Sequence, residues 1–124
     1  MTACEKEISY VVEKNDVVFV QVIEVQEHSN EILFSVLFQV DEQAIDDFID
    51  DLALIPFTRV YGDPQGFSGD CFYIGYENED YEIICTHYIS RYDKNNNIIV
   101  WHNYEADIEQ MNNLIDKYRF LINE

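Results

Sequence analysis

Four aspartates, Asp46, Asp47, Asp50 and Asp51, occupy positions i, i+1, i+4 and i+5 of one short segment. At helical spacing they form two adjacent columns of carboxylate on one helix face. Like charges four residues apart destabilise a helix by roughly a few tenths of a kcal/mol per pair, so stability alone does not favour this ladder. The chemistry that such a ladder supports is the attraction of a cationic partner.

Acidic residues continue beyond this ladder. Between positions 41 and 82 the chain has twelve acidic residues and one basic residue, Arg59, and the whole chain has a net charge of −18. This clustering exceeds what solubility requires, and we interpret it as a negative surface that steers a basic protein partner, with Phe67 in the Gly-rich loop 62–70 as an apolar anchor. The alternative is an ordinary solvated surface of an acidic protein. The predicted partner-binding residues are Asp46, Asp47, Asp50, Asp51, Asp63, Phe67, Asp70, Glu77, Glu79 and Asp80.

The remaining reactive side chains form weaker patterns. A zinc site from Cys71, Cys85, His87 and His102 lacks the close Cys-x2-Cys pair of structural sites, and acidic surroundings disfavour the thiolate that a Cys/His nucleophile pair needs. The carboxylates lack the glycine-turn loop of calcium sites. The loop 62–70 has no Gly-Lys-Ser/Thr end, so it does not match a phosphate-binding loop. We therefore predict no catalytic residue, no metal and no cofactor.

The cysteines and the charge bear on location and partners. Cys4, Cys71 and Cys85 are an odd number without a spaced framework, which predicts reduced thiols, although a Cys71–Cys85 bridge across neighbouring strands stays open. No apolar run is long enough for a membrane span, and residues 1–7 do not resemble a signal peptide, so the prediction is a cytoplasmic protein. The negative charge argues against direct contact with nucleic acid or an anionic membrane.

The elements that must position the aspartates follow the order βββα, a loop, then βββα. The aspartate segment is predicted to be an amphipathic helix from Asp41, its N-cap, to Leu54, with Pro56 preventing its continuation. Asn103 is predicted to cap a closing helix. Strands are predicted at 8–12, 17–27, 32–40, 71–76, 81–92 and 98–102.

This order predicts a single α+β domain over residues 1–124. We expect one antiparallel sheet of about six strands, beginning with a three-stranded meander, and both helices packed on one side of it. Apolar residues make up 48% of the chain, enough to fold despite its charge. The sequence leaves the oligomeric state open, since edge strands at 8–12 or 98–102 could pair across a dimer.

Size, charge and the ladder of Asp46, Asp47, Asp50 and Asp51 resemble bacterial toxin-immunity proteins, the antidotes to nuclease toxins of contact-dependent and polymorphic toxin systems. The resemblance covers the whole chain and includes no specific motif, so no site residue is carried over from that class. It implies a stoichiometric inhibitor whose carboxylates pair with the Lys and Arg side chains of a toxin's nucleic-acid groove. Charge steering would speed association, and a few buried contacts would slow release.

Two other functions remain open. A nucleic-acid mimic would occupy a DNA- or RNA-binding protein: B-DNA carries about one charge per 1.7 Å of axis, and four aspartates over six helical residues carry about one per 2 Å. A small enzyme or metal-binding protein would instead have a concave pocket that holds a side chain of perturbed pKa or a bound ion.

Overall fold

The computed structural model describes residues 7–28, 31–59 and 68–122, which form two antiparallel sheets and two helices. The helices are α1 (Ile45–Leu52) and α2 (Ile108–Ile122), and short 3-10 turns lie at Lys14–Asp16 and Glu42–Ala44. The strands are β1 (Glu7–Ser9), β2 (Val17–His28), β3 (Glu31–Gln39), β4 (Pro56–Arg59), β5 (Ser68–Tyr76), β6 (Tyr81–Ile84), β7 (Ile89–Tyr92), β8 (Ile98–His102) and β9 (Tyr104–Ala106). The predicted α+β class with an antiparallel sheet and two helices is confirmed.

The larger sheet has six strands in the order β3-β2-β5-β6-β7-β8. Its longest strand, β2, pairs with β3 on one side and with β5 on the other. Val20 and Val22 are buried on its inner face, towards the helices, and Ile23 and Val25 are buried on its outer face. The run of apolar residues in β2 therefore reflects a strand that is covered on both faces.

A second sheet, in the order β1-β4-β9, corrects the predicted meander and the single sheet. The first strand pairs with β4, so that Ile8 lies opposite Phe57, and not with β2. The third strand, β9, occupies the position at which the closing helix was predicted to begin. Asp107 caps that helix in place of Asn103, because its carboxylate accepts a hydrogen bond from the Glu109 backbone N–H at 2.8 Å.

The predicted long strand 81–92 is wrong, since the chain reverses within it. Cys85 donates its backbone N–H to the carbonyl oxygen of Tyr88 at 2.9 Å, and β7 then pairs back on β6. Residues 85–88, Cys-Thr-His-Tyr, include no glycine, proline, asparagine or aspartate, so the usual sequence signals of a turn do not reveal this reversal. The segment 93–97, between two of the predicted strands, is a turn, in which the Asp93 carboxylate accepts hydrogen bonds from the backbone N–H groups of Asn95 and Asn97.

Both helices pack on the inner face of the larger sheet. Helix α1 is shorter than predicted, but its amphipathic character is confirmed, since one face buries Ile45, Phe48, Ile49 and Leu52. The Phe48 ring contacts the rings of Phe72 and Tyr118, with centroid separations of 4.9 and 5.3 Å. Asp41 caps the 3-10 turn that leads into α1, and its carboxylate accepts the Gln43 backbone N–H at 2.9 Å.

The outer face of the larger sheet carries a second apolar cluster, whose buried members are Ile23, Val25, Cys71, Ile83, Cys85 and Tyr88. Cys71 and Cys85 are joined by a disulfide, with their Cα atoms 4.6 Å apart. The prediction of reduced thiols is wrong for this pair, because the β5–β6 pairing places the two residues side by side. Neither sulfur is a thiolate that could bind zinc.

A row of aromatic rings crosses the same outer face. Phe19, Tyr73, Tyr81 and Tyr92 come from four adjacent strands and stack with centroid separations of 5.6, 5.2 and 4.9 Å. Phe19 can extend over β5 because its neighbour there is Gly75: a Cβ atom at Gly75 would lie 2.1 Å from the Phe19 ring. Within the described residues, no helix has the length and apolar character needed to cross a membrane.

Candidate binding surface

The four aspartates of the ladder have different environments. Asp46 and Asp47 are exposed. Asp50 forms an ion pair with Lys14, whose Nζ atom lies 2.6 Å from the carboxylate. Asp51 is half-buried between the helices and accepts hydrogen bonds from the Lys117 ammonium at 2.7 Å and the Tyr118 hydroxyl at 2.6 Å.

These contacts give Asp51 a structural role. Burial raises the pKa of its carboxyl group, but the hydrogen bonds from Lys117 and Tyr118 outweigh burial and hold that pKa below its usual range. The ionised carboxylate therefore ties α1 to α2. Its predicted contact with a partner stays a prediction, but Asp46 and Asp47 are the more accessible half of the ladder.

The 3-10 turn Lys14–Asp16 contacts both α1 and the turn between β5 and β6. Lys14 contacts Asp50 on α1, and the carbonyl oxygen of Asp16 accepts the Glu77 backbone N–H at 2.8 Å. Lys14 and Asp16 are two residues apart, which limits their separation to about 7 Å. These contacts link three chain segments that each carry exposed carboxylates. We call the exposed set Asp16, Asp46, Asp47, Asp50, Glu77 and Glu79 the acidic surface.

The β5–β6 turn contributes its acids in two ways. Glu77 and Glu79 are exposed, and Glu79 has a φ of +73°, a left-handed conformation that is unfavourable for a glutamate. Asp80 points inward and accepts hydrogen bonds from Arg91 and from the Asn78 side chain, both at 3.1 Å. Asp80 therefore supports the turn, and Glu77 and Glu79 face solvent.

Other predicted site residues lie elsewhere. Asp70 is six residues before Tyr76 on β5, about 20 Å from the turn at the strand's other end, and its Cα partner is Glu24 on β2. The structure does not bring Asp70 to the acidic surface. Asp63 and Phe67 lie outside the described residues.

A buried carboxylate lies behind the acidic surface. Glu82 is 2% exposed and accepts hydrogen bonds from the hydroxyls of Tyr10 and Tyr76. The Arg91 guanidinium lies over the Tyr76 ring, 4.3 Å from its centroid, and Arg91 is the cross-strand Cα partner of Glu82. Glu82 is one of the twelve acidic residues between positions 41 and 82 from which the sequence predicts a negative surface. The missed signal was its position in β6, beside the buried Ile83 and Ile84.

A pocket of about 310 Å³ opens beside this cluster and is lined by Asp16, Tyr76, Glu77, Asn78 and Arg91. Its carboxylates, amide and guanidinium can bind and orient a polar group, but this lining has no thiol, hydroxyl–histidine pair or other activated nucleophile. No group of three or more His, Cys, Asp or Glu side chains in the described part of the chain is arranged to hold a metal ion.

The hydroxyls of Tyr10 and Tyr76, which bond to the buried Glu82, predict that the fold loses stability at alkaline pH. Burial, followed by the neighbouring Glu82 carboxylate, raises the pKa of Tyr10 and Tyr76 far above the usual value of about 10. The unfolded chain therefore releases these protons at lower pH than the folded chain does. We expect their stabilising contribution to be complete below about pH 10 and to be lost as the pH rises further.

Urea unfolding at a series of pH values from about 8 to 11 measures this loss. The Tyr10→Phe/Tyr76→Phe variant is expected to show a shallower decline than the natural chain. Some decline persists, because burial also raises the pKa of Tyr88 and Tyr118. An identical slope in both proteins would contradict this assignment.

The fold and the acidic surface define a small α+β protein whose exposed carboxylates converge from a helix, a 3-10 turn and a hairpin turn. Comparisons of the chain with protein-family models, with curated proteins and with solved structures find no match.

Proposed function

We propose that this chain is a stoichiometric protein inhibitor, an immunity protein that binds a basic toxin, of nuclease type, through the acidic surface. The observation that carries the proposal is that the Lys14–Asp16 turn contacts both α1 and the β5–β6 turn, so three segments with exposed carboxylates are neighbours in the fold. Three separate segments supply the same charge to one surface, which suits a partner with a broad cationic groove.

The conformation of Glu79 supports a binding role for this surface. A non-glycine residue in the left-handed region costs on the order of 1–2 kcal/mol, and glycine or asparagine would relieve that cost. Glu79 is exposed and lies at the tip of the turn. A glutamate at this position is therefore unfavourable for the fold, and a carboxylate held out to a partner accounts for its presence.

Inhibition would follow because the bound chain occupies the partner's nucleic-acid groove. The carboxylates pair with Lys and Arg side chains that line the partner's nucleic-acid groove, so nucleic acid is excluded while the complex lasts. The net charge of −18 steers a basic partner during approach, which favours rapid association at low salt. Lys14, inside the surface, is held by Asp50, and this contact raises the pKa of its ammonium group, so it remains a paired cation.

The Asp46→Asn/Asp47→Asn variant tests this proposal, and the probe is a basic protein that co-purifies with the natural chain from its source organism. We expect a one-to-one complex that suppresses the probe's nuclease activity, with an affinity that falls as salt is added. Loss of the two carboxylates should weaken binding about tenfold or more, mostly at low salt. Calorimetry at two salt concentrations measures both effects.

Two matched variants separate binding from folding. Asp51→Asn removes a carboxylate that joins the helices, so it should lower stability and change affinity less than the double variant does. Glu79→Gly should leave the fold at least as stable and still weaken binding. An affinity that does not change with salt, or equal binding by all variants, would rule out the acidic surface as the contact.

A cytoplasmic site of action stays part of the proposal, and one observation counts against it. Disulfides such as Cys71–Cys85 are rare in reducing compartments. The bridge is buried, with both cysteines almost inaccessible to solvent. Counting reactive thiols in protein trapped directly from cells decides between a bridged and a reduced form in the compartment where the protein acts.

A ligand-binding or enzymatic role is the second candidate, and the pocket beside Tyr76 and Arg91 favours it. This pocket has the concave shape and the side chain of raised pKa that such a role predicts. Its lining is suited to binding rather than to bond cleavage, because the Tyr76 hydroxyl already donates a hydrogen bond to the buried Glu82 carboxylate. The nucleic-acid mimic gains no support, since Asp50 and Asp51 are engaged within the chain.

A further inference from the structure

Strand β3 is an edge strand of the larger sheet. Among the residues that the structure describes, β3 pairs with β2 on one side and with no strand on the other. The strand is nine residues long, so its unpaired edge presents backbone N–H and C=O groups that another strand could pair with. An extended chain segment can form backbone hydrogen bonds with such an edge strand.

Side chains of this edge strand are apolar and accessible. Phe34 is 48% exposed and Val36 is 59% exposed, and both belong to the outer face. The strand contains neither lysine nor proline, the residues that commonly protect an edge. One bulge, at Leu37, interrupts the β2–β3 pairing, so the regular part of the strand ends at Val36.

The charge distribution points to the kind of partner. Residues 32–40 carry no charge, and Glu31, at the start of β3, is the one charged residue of the strand, although the whole chain has a net charge of −18. Two copies of such a chain repel each other over most of their surfaces, and the repulsion is smallest where no carboxylate is present. The acidic surface described above is on α1 and the two turns, and it contains no residue of β3.

We propose that β3 pairs in antiparallel fashion with β3 of a second copy of this chain, about a two-fold axis at Ser35. With this axis, Phe34 lies opposite Val36 of the second copy, and Val36 lies opposite its Phe34, all on the outer face. Apolar side chains therefore meet apolar side chains without rearrangement, as a self-complementary two-fold contact requires. The two six-stranded sheets become one continuous sheet across the dimer.

Sedimentation velocity of Val36→Lys tests this pairing against Ile99→Lys. Ile99 is a matched control, since it is 53% exposed and lies on β8, the border strand at the opposite side of the same sheet. We expect the natural chain and Ile99→Lys to dimerise and Val36→Lys to remain a folded monomer, with folding checked by circular dichroism. A natural chain that stays monomeric up to about millimolar concentration, or a dimer lost only in Ile99→Lys, overturns the proposal.

A cysteine on the proposed axis tests the register. Ser35→Cys, in a Cys4→Ser background, should form a covalent dimer on mild oxidation, because a residue on the two-fold axis faces itself. Val36→Cys in the same background should cross-link far less. Equal cross-linking of both, or of neither, overturns the register.

Salt separates this dimer from the proposed inhibitor function. Added salt screens the repulsion between two copies, so the dimer should tighten by at least severalfold between low and moderate salt, whereas a complex with a basic partner should weaken. Dimerisation that weakens with salt would contradict the uncharged contact and leave the acidic surface unaffected. Either contact can therefore fail without the other.

Discussion

Replacing Tyr10 and Tyr76 together by phenylalanine is expected to lower the free energy of unfolding by about 3–5 kcal/mol at neutral pH. Glu82 is almost fully buried, and the two hydroxyls donate hydrogen bonds to its carboxylate. Without them a buried negative charge loses two of its donors, which costs more than the loss of a neutral hydrogen bond. Urea unfolding of the variant and the natural chain measures the difference.

Two controls show whether the charge is the cause. Tyr81→Phe removes a hydroxyl that bonds to Asn96 at the surface, so it should cost less than about 1 kcal/mol. In a Glu82→Gln background, the loss of both Tyr10 and Tyr76 hydroxyls should cost much less than it does with Glu82 present. A cost that is equal with Glu and Gln at this position would mean that packing, and not the buried charge, explains the loss.

Reduction of the Cys71–Cys85 disulfide should lower the free energy of unfolding by about 3 kcal/mol, the value expected for a loop of about 15 residues. The two cysteines are 14 residues apart in sequence, and the bridge ties β5 to the end of β6. Opening it restores conformational freedom to the unfolded chain. The Cys71→Ala/Cys85→Ala variant should lose a similar amount and should no longer respond to reductant.

Thiol counting provides the control for this prediction. In denaturant without reductant, one thiol per chain should react, that of Cys4, and with reductant all three should react. Cys4→Ala should leave both the stability and its response to reductant unchanged. Three reactive thiols without reductant, or equal stability of the oxidised and reduced forms, would contradict a stabilising bridge.

Features set by neighbours along the chain were predictable. The Asp41 cap and the turn at 93–97 follow from side chains within four residues of the groups they contact, and the buried stripe of α1 follows from the helical spacing of its apolar residues. The long strand β2 was predictable because its apolar run is strong and continuous. Such signals depend on local periodicity and on backbone hydrogen bonds that a short segment satisfies by itself.

Features that depend on distant segments were not predictable. Strands β1 and β9 are three residues long, which is too short to show a period, and both obtain their partner from β4, about 50 residues away in sequence. The reversal at 85–88 contains none of the residues that usually mark a turn. In each case the pairing energy comes from a remote strand rather than from the local sequence.

The carboxylates show most clearly which features the sequence determined and which the tertiary structure determined. The sequence by itself determined the excess of negative charge, the helical spacing of the four aspartates and the turn that carries Glu77 and Glu79. Only the tertiary structure assigned Asp51 to the α1–α2 contact, Asp80 to Arg91 and Glu82 to the interior, and only it added Asp16 to the acidic surface. The reason is physical: a carboxylate's sign is a property of its residue type, but its burial and its hydrogen-bond donors come from segments that meet only in the folded chain.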